Sequence, residues 1–185
     1  MEKTNILCDK ENITLIKMGN HNYKLLLTTQ NSHINLKNLI NFRLYKILSD
    51  VNKQHMESCI MTQQVSDNVA SFLFKFNSFG VDIGIPKKYM YLETTCVQSS
   101  NILLEYKSID IEPDDKIHSI IKGYDKITCN FSNLLIELIS NQHIKVEYNF
   151  DIDIHENLPI FAQNLLGFLM KKMFLNLKIF IENIL

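Results

Sequence analysis

The sequence predicts an α+β fold, a curved antiparallel β-sheet wrapped around one long C-terminal α-helix. Three observations carry this prediction. From about residue 58 to 152 the chain is a succession of β-branched and aromatic runs divided by short polar turns, the texture of an antiparallel meander. Residues 158–185 form one long apolar run of helical length, and before the meander only one stretch has helical periodicity. An antiparallel sheet hides one face, so its inner face must pack on the terminal helix or enclose an apolar space beside it.

The elements follow in order. ITLIKM (13–18) and HNYKLLLT (22–29) read as strands around the turn signal Gly19-Asn20. In NLKNLINFRLYKILSD (35–50), Leu36, Leu39, Ile40, Leu44, Ile47 and Leu48 fall at helical spacing behind Asn35 as N-cap. The meander comprises SCIMTQQV, VASFLFKF, YMYLETTCV, NILLEYKSI, KIHSIIKGYDKITC, SNLLIELI and HIKVEYNFDI. Its breaks are Asp67-Asn68, Gly80 to Pro86, Ser99-Ser100, Pro113-Asp114-Asp115 and Asn141-Gln142. The terminal helix has Asn157 as candidate N-cap and Pro159 in its first turn, where a missing N–H costs nothing. At ~100° per residue, Asn164, Gly167, Lys171, Lys178 and Glu182 share a narrow stripe. The wide apolar arc left over includes Phe161, Leu165, Phe168, Leu169, Met173 and Phe180, so this helix must be covered on most sides.

Bulk composition narrows the function classes. A chain of 185 residues suits one domain, taken as 1–185. Nineteen Lys and Arg against twenty Asp and Glu leave a net charge of −1, with no general field to attract nucleic acid. Hydrophobic residues make up 46% of the chain, ample for a core. Cys8, Cys59, Cys96 and Cys129 form no C-x-x-C pair and read as free thiols of a reducing compartment. With no apolar signal segment at the N-terminus, the expected location is cytoplasmic. Lys171, Lys172, Asn176 and Lys178 interrupt the terminal apolar run and would be costly in a bilayer, so a buried helix is expected there.

The stretch FDIDIHENLP (150–159) raises a chemical question. Asp151, Asp153 and His155 alternate and would share a face of a strand, as metal ligands do. One local strand leaves such a set incomplete. Phe150, Ile152 and Ile154 take the opposite parity and claim the inner face, which sends the three polar side chains to solvent, so no metal is expected. The six histidines are scattered, no G-x-S-x-G motif accompanies them, and no catalytic residue stands out. Neither G-x-G-x-x-G nor a P-loop occurs, so no cofactor is indicated.

Three strings go further. IPKKYMYLETTC, HSIIKGYDK and DIHENLPIFAQNLL resemble the START lipid-transfer domains of the helix-grip superfamily. There a strand begins near Pro-Arg-Asp-Phe, a later strand carries Val-Arg, and Asp, Gly and Pro lead into the last helix. This chain departs from the pattern with Lys87-Lys88 for Arg-Asp, Lys122 for the Arg, Glu156 for the Gly and His55 for a Trp.

The resemblance implies a lipid ligand, phospholipid or sterol, held between sheet and terminal helix. It also implies transfer through transient membrane contact, by a monomer or weak homodimer. Phe72, Phe74 and Phe76 share one face; in a helix-grip fold such core residues are also cavity wall. Tyr89, Tyr91, Glu93 and Thr95 share a face opposite Met90, Leu92, Thr94 and Cys96, and pattern alone does not say which points inward. The register implied by the resemblance makes Tyr91 and Glu93 cavity groups, whereas a solvent-facing Glu93 is the plain alternative. From the helix, Phe161, Leu165, Phe168, Leu169 and Met173 would line the cavity. The terminal helix, or the loops Gly80 to Pro86 and Pro113 to Lys116, would act as gate. Lys87-Lys88 and Lys171-Lys172 read as solvated lysines or as headgroup contacts at the cavity mouth.

Two rivals stand beside this reading. One is a cyclase or hydrolase of the same superfamily, using Glu93 with Glu105 or Tyr106. The other is a non-catalytic interaction protein that docks through its apolar terminal helix.

Overall fold

A computed structural model describes residues 5–78, 85–100, 102–155 and 164–185. Ten strands form one sheet: β1 (Asn5–Lys10), β2 (Ile13–Lys17), β3 (Asn22–Gln30), β4 (Met56–Ser66), β5 (Val69–Phe76), β6 (Lys88–Ser100), β7 (Leu103–Asp110), β8 (Asp125–Lys126), β9 (Thr128–Ser140) and β10 (His143–Asp153). Their order is β1-β2-β3-β10-β9-β7-β6-β5-β4, all antiparallel, with the two-residue β8 beside β6 in parallel. Helices α1 (Arg43–Asp50), α2 (Asp115–Ile120) and α3 (Leu165–Asn183) complete it.

Alternation decides which residues go inside. Tyr23, Leu25 and Leu27 of β3, Phe72, Phe74 and Phe76 of β5, and Met90 and Leu92 of β6 are buried in one core with α3. On β10 the inward set is Val146, Phe150 and Ile152, followed by Ile154, as the FDIDIHENLP pattern predicts. The helix meets this surface with Leu166, Leu169, Met170, Met173, Phe174, Leu177 and Ile181. Each such side chain withdrawn from water stabilises the fold by roughly 1.5–3 kcal/mol.

Polar contacts set where α3 lies. The amide of Asn31, a buried residue just past β3, donates to Ile181 O at 2.7 Å and Ile184 O at 2.8 Å, capping carbonyls that the helix end leaves open. Asn52, wholly buried after α1, donates to Leu48 O at 2.8 Å and Met173 O at 3.1 Å and accepts from Asn176 Nδ2 at 2.8 Å. Near the start of α3, a Cβ on Gly167 would stand 2.8 Å from the Tyr23 ring. Only glycine allows this approach, because the ring is buried and stacked on Phe150 with centroids 5.5 Å apart.

Several sequence expectations need correction. The helix expected over 35–50 is two pieces. Asn35 caps a 3-10 turn, Leu36–Leu39, by accepting from Lys37 N at 3.0 Å, and α1 starts only at Arg43. KIHSIIKGYDKITC is not one strand. Asp114 accepts from Ile117 N at 2.8 Å and starts α2, and pairing resumes only at β8. β1 escaped sequence reading because it is a short edge strand whose apolar residues, Ile6, Leu7 and Cys8, run consecutively rather than in alternation.

The polar stripe of α3 is turned inward. Lys171 and Lys178 are buried; Lys171 lies 3.7 Å from Glu11, and Lys178 pairs with Glu182. Phe168 and Phe180 of the expected apolar arc are exposed. Long lysine stems can cover apolar surface while their heads reach a carboxylate, so charge alone did not mark the wet side.

Replacing Asn52 with Ala strips two carbonyls and the Asn176 amide of their partner, and urea denaturation is expected to show a loss of about 2–4 kcal/mol. For Gly167→Ala, overpacking of ~1–3 kcal/mol outweighs the helix-propensity gain of ~1 kcal/mol. Net destabilisation is the expected result of the same measurement, and a more stable variant would refute the close-approach argument.

Candidate functional site

Between the concave sheet face and α3 the packing leaves two small chambers. The first, about 30 Å³, lies toward the C-terminal end of α3 between Leu36, Ile40, Ile144, Leu177 and Ile181. Lys178 contributes to its wall, and that wall is apolar. The second, about 50 Å³, lies under α1 among Leu48, Phe74, Phe76, Leu92, Tyr148 and Met173. Leu44, Leu134, Phe174 and Leu177 border both, so these four side chains are the partition. Four of the seven methionines, Met56, Met90, Met170 and Met173, surround the second chamber. Unbranched thioethers repack at low cost, so this wall can yield.

A row of hydroxyls runs along the second chamber, which Ser108 and Ser132 border. Thr94, Ser108 and Ser132 are paired in register across β6, β7 and β9 and point inward as one row. Thr94 Oγ1 and Ser108 Oγ are 2.9 Å apart, and Ser132 Oγ donates to the Tyr148 hydroxyl at 3.1 Å. Tyr45 of α1 reaches Ser108 and Thr94 from above. Burial pushes its hydroxyl up to about 12 against the lowering effect of those two bonds, and burial likewise raises Tyr148.

A wider cleft of about 630 Å³ opens between residues 40–46 and the ends of β4 to β7. Phe72 lines this cleft and meets Tyr45, which borders the second chamber, with ring centroids 4.8 Å apart. Phe42 stands 5.5 Å from Phe72 and 6.1 Å from Tyr106, so an aromatic cluster closes the interior on this side. The buried Tyr106 hydroxyl has no partner of regular geometry; the Cys96 thiol beside it is a weak acceptor.

No family model matches the chain, and no curated protein sequence matches it. Solved structures do. The human StarD13 lipid transfer and protein localization domain superposes with a TM-score of 0.73 at 11% identity, covering 100% of this chain and 91% of that one. Human StAR-related lipid transfer protein 5 gives 0.72 at 9% identity, over 96% and 86% of the two chains. A STAR-related lipid transfer protein from Xanthomonas axonopodis gives 0.69 at 7% identity, over 96% and 98%. The chain has the START-like helix-grip fold.

Within this START-like frame the residues singled out from the sequence separate. Phe72, Phe74, Phe76, Leu169 and Met173 are in the interior core; Phe74, Phe76 and Met173 border the second chamber, and Phe72 the outer cleft. Leu165 is half-buried at the helix start, Phe168 faces outward at 43% exposure, and Phe161 lies outside the described residues. Gly80, Gly84, Asn157 and Pro159 also lie outside them.

Tyr91 and Glu93 are on the convex face. Tyr91 is buried there with Leu73 and Tyr89 under Ile117 and Ile121 of the α2 segment, and Glu93 pairs across the sheet with the exposed Ile109. Register explains the difference: Met90, Leu92 and Thr94 hold the inward parity, and α2 supplies an apolar cover for the outer tyrosines that the strand pattern could not announce. The hydroxyl row was also missed, although its signal was present as single Ser and Thr residues at the inward parity of apolar strands.

Asp151, Asp153 and His155 are engaged in local hydrogen bonds. Asp151 accepts from Asn130 at 2.8 Å, and Asp153 accepts from His155 N at 2.8 Å. His155 adopts φ 57° and stands 2.6 Å from Thr128 Oγ1. Among the described residues no three His, Cys, Asp or Glu gather as a metal site.

The convex side carries one tight ionic cluster. Glu57 meets Lys75 at 2.8 Å, Lys87 at 2.9 Å and the Tyr124 hydroxyl, while Lys75 Nζ lies 4.6 Å from the Tyr124 ring centre. The Lys75, Tyr124 and Lys87 hydrogen bonds hold the carboxyl at about 2 against the usual 4.5. A folded-state value below the unfolded one means stability present above pH 4.5 and lost as pH falls toward about 2. Thermal midpoints across that window are expected to fall less steeply in Glu57→Gln than in the parent, modestly because the side chain is 34% exposed.

Proposed function

We propose that this chain binds a lipid, phospholipid or sterol, between the concave sheet face and α3 and transfers it between membranes. The observation that carries the proposal is the divided apolar interior, closed by α3 and walled partly by methionines. It is supported by the likeness in fold to solved lipid-transfer proteins. The open volume is far below the ~300–1,000 Å³ of ordinary ligand pockets, so binding must displace the partition and the methionine wall. Each methylene taken from water contributes about 0.8 kcal/mol, so a tail of a dozen carbons offsets a displacement cost of several kcal/mol.

The proposed carrier is residues 1–185 acting as one domain, monomeric or weakly dimeric, in the cytoplasm. All four cysteines are free, and burial pushes the Cys59 and Cys129 thiols up to about 12, which suits a reducing compartment. No described helix is long and apolar enough to cross a membrane. Phe168, Ile179 and Phe180 are exposed on α3 and offer an apolar surface for the transient membrane contact that loading requires. A catalytic role finds less support: among the described residues no His, Asp or Glu borders either chamber to act as acid or base.

The purified protein is expected to leave incubation with mixed-lipid vesicles carrying one lipid per chain, read by native mass spectrometry, and to pass labelled lipid to acceptor vesicles. No bound lipid and no transfer above the uncatalysed rate would reject the proposal.

A further inference from the structure

Among the described residues, no charged side chain and no side-chain amide borders the second chamber. Its polar groups are the hydroxyls of Tyr45, Ser108, Ser132 and Tyr148. The ionic groups nearest the interior are already engaged and do not border it. Lys178 pairs with Glu182; Lys88 donates to Ile154 O at 3.2 Å and lies 3.6 Å from Asp125; Asp110 lies 3.5 Å from Lys126.

Hydroxyl arithmetic shows what such a wall can take. Two hydroxyls joined by one hydrogen bond use one proton and leave the second proton and several lone pairs. Ser132 donates to Tyr148, and the structure gives Tyr148 no second side-chain partner among the described residues, so its proton is available to a ligand oxygen. Its ring is held for this by stacking between Phe150 at 4.8 Å and Phe174 at 5.0 Å. A neutral oxygen can therefore be satisfied here. A phosphate or carboxylate would forfeit its hydration for neutral donors alone, and burying an unpaired ion costs several kcal/mol even after relaxation.

We infer that this interior selects an uncharged amphiphile whose polar end is a hydroxyl or ester carbonyl, seated against Ser108, Ser132, Tyr45 and Tyr148. Its hydrocarbon crosses the Leu134–Phe174–Leu177 partition into the first chamber, whose two polar lining residues, Thr29 and Lys178, are both engaged by Glu182. The inference rests on the lipid-binding function proposed above and specifies the ligand class for that same interior.

The test is a tail-matched pair, diacylglycerol and phosphatidic acid with identical acyl chains, offered in vesicles to the unaltered protein, with binding read by native mass spectrometry and competition. The expected result is at least about tenfold tighter binding of diacylglycerol, equivalent to roughly 1.4 kcal/mol. Phosphatidic acid binding equally or more tightly overturns the inference while leaving lipid binding intact. Cholesterol is offered alongside as a hydroxyl-headed lipid without acyl chains: its binding without that of phosphatidic acid upholds the inference, and binding of none of the three overturns the inference and the proposed function together. As a second readout, Ser132→Ala combined with Tyr148→Phe, checked for folding by circular dichroism, is expected to weaken diacylglycerol binding about tenfold and to shrink the preference. Should this pair of substitutions fail to fold, Tyr148→Phe alone carries the readout, with a smaller loss in the same direction. Unchanged diacylglycerol affinity in a folded variant overturns the role given to the hydroxyls.

Discussion

Everything inside this protein depends on how deeply α3 sits in the curved sheet. Gly167 lets the helix backbone lie against the Tyr23 ring at one end, and Asn31 caps Ile181 and Ile184 at the other. Between them Asn52 ties Met173 to the end of α1. A helix held further out would leave the inner face of the sheet wet; one free to settle deeper would close both chambers. These short polar contacts also confer position that apolar packing lacks, because hydrophobic attraction alone is non-directional. The geometry of the interior is therefore set by a glycine and two asparagines, while its stability comes from the aliphatic and aromatic side chains around them.

That division accounts for how the lipid-binding proposal works energetically. The present chambers are small because α3 is well seated, and a ligand must spend packing energy to enlarge them. Met56, Met90, Met170 and Met173 border the chamber where the helix meets the outer strands, which is where adaptable side chains lower that cost. The partition of Leu44, Leu134, Phe174 and Leu177 combines residues of α1, β9 and α3, so displacing it couples ligand entry to the position of both helices. The aromatic cluster of Phe42, Tyr45, Phe72 and Tyr106 closes the opposite side, under an α1 whose first N–H, that of Arg43, is taken by Asn41 Oδ1 at 2.9 Å.

Much of the fold was legible in the residues because alternation and length are strong signals. VASFLFKF and HIKVEYNFDI announced both their strands and their inner faces, and the apolar terminal run announced a covered helix. What was hidden had physical reasons. KIHSIIKGYDKITC carries β-branched residues in a segment where a single carboxylate, Asp114, starts a helix, and the cap outweighs propensity. Tyr91 and Glu93 could not be placed because both faces of β6 are apolar near Tyr89 to Leu92, one covered by α3 and the other by α2. Lys171 and Lys178 misled because a lysine is charged only at its tip. The hydroxyl row required register across three strands, which no single strand reveals.

The most direct measurement uses a lipid bearing a photoactivatable diazirine in its acyl chain, crosslinked to the protein after loading from vesicles and mapped by peptide mass spectrometry. Binding between sheet and helix places the labels on interior residues such as Met90, Leu134, Met173 and Leu177. Labels confined to Phe168, Ile179 and Phe180 on the outer side of α3 would contradict it and reduce the lipid contact to surface adsorption.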